Sequence, residues 1–202
     1  MAVITISKQF AAGGVELAER LGAKLGYQVV GKKVLTELAQ ALDLSEAEAE
    51  LMKRGQEVGL ISLVDHYLIH TVRRIAQKPE AALNDHRYFQ TVEKLVKDLA
   101  AQDNVILLGW GAQVILAQAA NARHFRVVCP LELRGRRLAD QNRLPLTQAM
   151  GECQRQDDFS AGYVQHYLKQ DWAAPELYHL TINLGHLLFD FDRAIRAIES
   201  VL

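Results

Sequence analysis

The chain predicts an α/β protein: a parallel sheet flanked by helices, with an all-helical insertion. Three observations carry that prediction. Residues 3–26 read VITISKQFAAGGVELAERLGAKLG, a β-branched run, a turn holding Gly13 and Gly14, and an amphipathic helix. From residue 105 onward, apolar runs alternate with helical patterns, which is how parallel strands and their crossover helices appear in a sequence. Between these regions, residues 43–101 carry helical patterns only.

The first helix places Leu17, Leu21 and Leu25 at helical spacing and stops at Gly26. A short YQVV strand follows, then a helix over Lys33 to Leu42. Ser45, with Glu48 three residues on, forms a capping box that opens an acidic helix. The run LISLVDHYLIHTVRRIAQ is a long amphipathic helix stopped before Pro79, and a further helix runs from about His86 to Ala101. VILLGWG (Val105 to Gly111) is a buried strand opening into a glycine turn. Phe125 to Pro130 and Leu180 to Leu184 supply two more strands. Helices over Gln113 to Ala120, Leu131 to Asn142, about Leu146 to Lys169, and Asp190 to the end complete the pattern.

Composition narrows the function classes. A chain of 202 residues with 50% hydrophobic and 23% charged residues fits one globular domain, 1–202, with a buried core. Lys+Arg 23 against Asp+Glu 24 offers no basic surface for nucleic acid. No run reaches the ~20 apolar residues of a membrane span, and the sparse cysteines, Cys129 and Cys153, suit a reducing cytoplasm. The expectation is a soluble cytoplasmic protein with no nucleic-acid or membrane partner.

The turn at Gly13 has the form that cradles phosphate, because free N–H groups and the helix dipole both face the anion. It is a poor copy of G-x-x-x-x-G-K-S/T. With the last glycine on Gly13, the first falls on Lys8, the lysine on Gly14 and the magnesium-holding hydroxyl on Val15.

ITIS with its glycine turn, VILLGWGA, PLELRGRRL and the segment QDDFSAGYVQHYLKQDWAAPELYHLTINLGHL together resemble the cytidylate-kinase-like branch of the P-loop nucleoside monophosphate kinases. The specific part is Asp171, Trp172, Pro175, Leu177, Tyr178, Ile182 and Asn183. The resemblance implies a P-loop kinase-like fold, ATP-dependent phosphoryl transfer to a nucleoside monophosphate with magnesium, a helical acceptor-binding insertion at about 43–101, and an arginine-bearing lid at about 131–170. It implies a phosphate or nucleotide site at Ser7, Lys8, Ala12, Gly13, Gly14, Val15, Trp110 and Arg134, with lid residues Arg136, Arg137 and Asp157. It assigns no catalytic residue here and no metal ligand.

Phosphoryl transfer needs positive charge on the transferring group, and the chain departs from the family at those positions. Ala11 to Val15 read AAGGV, without the turn's arginine. Gly31 replaces an acidic residue, Trp110 an arginine, and Asp158 and Ser160 the two lid arginines. One such arginine is worth about 10³ to 10⁵ in rate, roughly 4 to 7 kcal/mol. The leading expectation is therefore a catalytically impaired binding or regulatory module, dimeric through its helical region and with no cofactor requirement. The alternative is an active kinase using ATP and Mg with Lys8 and the Arg134, Arg136 and Arg137 cluster. A phosphate sensor that binds without turnover is the third reading. Trp110 either stacks on a base or fills the vacated pocket; the apolar character of Ala11 and Val15 favours filling.

His66 and His70 have the spacing of a metal pair, but no third ligand stands nearby in sequence and Asp65 is not the glutamate of a hydrolytic zinc helix, so they read as packing or surface residues. His166 and His179 read as structural. Asp190 and Asp192 read as a cap and a dipole charge.

Overall fold

The computed structural model describes residues 2–31 and 81–202. The chain divides into two compact units, Met1–Val30 with Val96–Leu202, and Gly31–Leu95. The helices expected over 33–42, from Ser45 and before Pro79, and the pair His66 and His70, lie outside the described residues.

Five parallel strands form the sheet: β1 (Val3–Lys8), β2 (Gln28–Val30), β3 (Val105–Leu108), β4 (Ala122–Val128) and β5 (Leu180–Asn183). They lie in the order β2-β3-β1-β4-β5. The described helices are α1 (Gly14–Leu25), α2 (Ala81–Ala100), α3 (Ala112–Ile115), α4 (Leu131–Asn142), α5 (Leu146–Leu168) and α6 (Phe191–Glu199). β1 is central, with Ile4 opposite Ile106 on one side and Arg123 on the other. The order sets the carboxyl ends of β3, β1 and β4 side by side, where ligands bind in open α/β sheets.

One sheet face carries the core. Ile4, Ile6, Ile106, Phe125, Val127 and Ile182 meet Leu17, Leu21, Phe191, Ile195 and Ile198 from α1 and α6. Each large apolar side chain buried this way contributes about 1.5–3 kcal/mol. Period-2 alternation sends their neighbours Thr5, Ser7, His124 and Arg126 to the opposite face, where they too are buried. These polar groups share that face with buried Val3, Val105 and Leu107, and each takes part in a hydrogen bond.

Helix ends follow the sequence signals. Gly26 caps α1 in the left-handed region at φ 71. The Asp190 carboxylate caps α6, accepting from the Arg193 amide at 2.9 Å, and Asp192 sits in its first turn. Three boundaries differ from expectation, the first being α2, which begins at Ala81 rather than about His86. α3 ends at Ile115 because residues after it turn tightly, with the Ala119 amide on the Leu116 carbonyl and the Ala122 amide on that of Ala119. β4 starts at Ala122 rather than Phe125, since Ala122 pairs with Val3 at the first residue of the central strand. Arg123, His124 and Arg126 hide this strand from an apolar reading.

Candidate functional site

Beyond Lys8 the chain reverses through Gln9–Gly13 into α1. Ala11 at φ 57 and Gly13 at φ 87 take left-handed conformations, and only the glycine does so without cost. The Ala12 amide closes the turn on the Gln9 carbonyl at 3.2 Å. Among the described residues, the amides of Gly13, Gly14, Val15 and Glu16 donate to no protein acceptor. These four donors sit at the positive end of the α1 dipole.

Gly14 is required by close approach. A Cβ there would stand 2.7 Å from Lys8 Cβ and 3.0 Å from its Cδ, so the lysine stem lies directly against the first residue of α1. Val15 brings no oxygen to this rim.

The turn is fastened from two sides. On one, the Gln9 side-chain oxygen accepts from the Cys129 amide at 2.9 Å, tying the turn to the end of β4. On the other, Asp157 of α5 accepts from the Phe10 amide at 2.8 Å through Oδ1 and pairs with Arg134 Nη1 at 2.7 Å through Oδ2. Arg134 also donates from Nε to the Cys129 carbonyl at 2.8 Å and from Nη1 to the Phe10 carbonyl at 2.9 Å. It is 3% exposed. Burial pushes the Asp157 carboxyl up from its ordinary value, against the pull of the Phe10 amide, Arg134 and Arg126. Burial likewise raises both thiols, Cys129 and Cys153, with Arg134 opposing it.

Beneath the turn, Ser7 Oγ accepts from Trp172 Nε1 at 2.6 Å and lies 3.3 Å from the Tyr178 hydroxyl. Tyr178 has one hydrogen, and the Trp172 carbonyl at 2.7 Å takes it, so Ser7 supplies the hydrogen between the two hydroxyls. Gln113 Nε2 donates to the Tyr178 hydroxyl at 3.4 Å. Arg126 donates through Nη1 to the same Trp172 carbonyl. Its guanidinium stacks 4.4 Å from the Trp172 ring centroid and 5.5 Å from that of Tyr178. Burial raises the Tyr178 hydroxyl pKa, against Ser7 and Arg126.

Across the sheet edge, β3 ends because Gly109, Trp110 and Gly111 all adopt positive φ, at 81, 54 and 66. Trp110 is buried, in a conformation costing a non-glycine residue about 1–2 kcal/mol. Gly111 faces α5: a Cβ there would fall 2.1 Å from Leu168 Cδ1.

The fold thus gathers Ser7, Lys8, Ala12, Gly13, Gly14, Val15, Arg134 and Asp157 around one turn, with Trp110 on the neighbouring one. Arg136 stays on the surface of α4 in an ion pair with Glu132 at 2.6 Å. Arg137 reaches α1, with Nη2 3.7 Å from Glu16, and stacks 4.2 Å from the Phe189 ring centroid. Sequence reasoning passed over Phe10, Gln113 and Arg126. An arginine inside the otherwise apolar run Phe125 to Pro130 was the available signal for Arg126. The roles of Trp172 and Tyr178 were hidden, although both belong to the quoted signature.

A model of the cytidylate kinase-like family matches residues 3–186. No curated protein matches the chain. Among solved structures, an uncharacterized protein from Eubacterium ventriosum is 15% identical with a TM-score of 0.70, the alignment covering 99% of this chain and 97% of that one. TT1252 from Thermus thermophilus is 17% identical with a TM-score of 0.54, covering 100% and 97%. A shikimate kinase from Acinetobacter baumannii, solved with shikimate, is 15% identical with a TM-score of 0.50, covering 99% and 94%. At these identities the likeness establishes the P-loop kinase-like fold.

Proposed function

The chain belongs to the cytidylate kinase-like family, and on that premise we propose that it is a nucleotide- or phosphate-binding module on a kinase scaffold, impaired in phosphoryl transfer and regulatory in role. The carrying observation is a contrast at one turn. Four consecutive amides, Gly13 to Glu16, have no protein acceptor among the described residues and stand at the helix end that favours an anion. The arginines around them are committed: Arg134 to Asp157, Arg136 to Glu132, and Arg137 to Glu16 and Phe189. Backbone amides bind ground state and transition state alike, so affinity survives while the rate falls. Each missing arginine removes about 10³ to 10⁵ in rate.

Magnesium fits this site poorly. Val15 stands at the hydroxyl position, and among the described residues no three His, Cys, Asp or Glu side chains gather. A cation here would arrive with the nucleotide phosphates. No described helix is long and apolar enough to cross a membrane.

One observation favours the alternative, an active ATP-dependent, cytidylate-like nucleoside monophosphate kinase: Lys8 lies against Gly14, at the turn itself. Calorimetry with ATP and magnesium, run beside a product assay on nucleoside monophosphates, separates the two. The module binds ATP and forms no product at kinase rates. Turnover at about 1–100 s⁻¹ overturns it. Dimerisation through the helical region completes the proposal, and light scattering on the full chain that returned a monomer mass would remove that part.

A further inference from the structure

Three ionisable groups are buried beside the turn and their charges do not balance. Arg134 is 3% exposed, Arg126 6% and Asp157 7%. Asp157 pairs with Arg134, and Arg126 lies near enough for its charge to act on the same carboxylate. Among the described residues, no carboxylate lies within ion-pairing distance of Arg126. Two guanidiniums against one carboxylate leave one positive charge uncompensated, where burying an unpaired charge is costly.

Both guanidiniums are positioned by groups other than Asp157. Arg134 is held by the carbonyls of Cys129 and Phe10, and Arg126 by the Trp172 carbonyl and the rings of Trp172 and Tyr178. Arg134 keeps a donor in reserve. Arg134 Nη2 donates to no acceptor among the described residues. The Phe10 amide, within the turn, is given to the same carboxylate.

We propose that Asp157 is the internal occupant of an anion seat made by the Phe10 amide and Arg134, with the charge of Arg126 acting on it, and that a phosphate group displaces it and frees α5 from the turn. A phosphate dianion matches the two guanidiniums in charge, whereas a carboxylate does not. Its oxygens outnumber those of Asp157 and can use the reserve donor of Arg134. Asp157 is the polar link from α5 to the turn, so the exchange couples ligand binding to release of that helix. The inference deepens the proposed function, since it names the group recognised at the site and the element that responds.

The test uses the full chain with inorganic phosphate and, in parallel, ATP. In the wild type, saturating phosphate should speed hydrogen exchange in α5 (Leu146–Leu168). In Asp157→Asn, which keeps an acceptor for the Phe10 amide, phosphate should bind at least about 10-fold more tightly, the gain expected when a competitor holding the seat more than nine-tenths of the time is removed. Equal affinity in the two proteins, or α5 exchange that is unchanged or slowed by phosphate in the wild type, overturns the inference. If Asp157→Asn does not fold, the wild-type exchange measurement decides alone. ATP binding that persists while both phosphate tests fail overturns this inference and leaves the proposed function standing; absence of both ligands overturns both.

Discussion

Acidification should loosen this fold through His124, on the second face of the sheet. The ring is buried, and burial together with the neighbouring His179 and Arg123 lowers its pKa from 6.5 to about 4, the Leu116 carbonyl opposing. Its Nδ1 lies 2.8 Å from Thr5 Oγ1, and its backbone amide donates to His179 Nδ1 at 3.0 Å. A histidine held neutral by the fold contributes stability above its unfolded pKa. That stability fades as pH falls from 6.5 through the folded value, because the unfolded chain takes the proton first. The gap from 6.5 to about 4, at about 1.4 kcal/mol per pH unit, gives a loss of about 3 kcal/mol between pH 7 and pH 4. Urea unfolding of wild type and His124→Asn across that range isolates the term. The variant should be weaker at pH 7 and draw level by about 3 kcal/mol at pH 4, while the His124 ring proton titrates near 4 by NMR. A constant difference between the two proteins across the range, or a ring titrating near 6.5, would refute the reasoning.

Three further outcomes follow from the same contacts. Gly14→Ala sets a methyl 2.7 Å from Lys8 Cβ and should destabilise by about 1–3 kcal/mol in urea unfolding, with weaker phosphate binding as Lys8 is pushed aside. Trp172→Phe keeps a ring beneath Arg126 and removes the donor to Ser7 Oγ, at a cost of about 1–3 kcal/mol; an unchanged midpoint would mean that the bond contributes nothing. Arg134→Met strips Asp157 and the carbonyls of Cys129 and Phe10 of their donor and should cost about 3–5 kcal/mol, a loss below about 1 kcal/mol counting against the buried pair.

The architecture was legible because it rests on local signals. The leucines of α1, the stop at Gly26, the Asp190 cap and the apolar run of β3 each report their own neighbourhood. β4 was read short because Arg123, His124 and Arg126 break its apolar pattern, His124 and Arg126 being polar residues buried on the second face of the sheet. The turn at Gly13 could be located, but not what fastens it. Phe10 and Asp157 are 147 positions apart, and Ser7 and Trp172 are 165 apart. Periodicity carries no information across such distances. The missing cations were readable position by position, whereas the excess charge at Arg126 appears only when burial and pairing are known together.

The chain contains two tryptophans, and both stand at the carboxyl edge of the sheet: Trp172 bonded to Ser7 below the turn, and Trp110 in the neighbouring bend after β3. An indole's emission depends on its solvent contact and hydrogen bonding. The unlabelled protein therefore holds two native optical reporters where a ligand would arrive, and no distant tryptophan dilutes their signal. Any event that lifts α5 or reshapes the turn should register as a change of colour or brightness, in real time and without a dye.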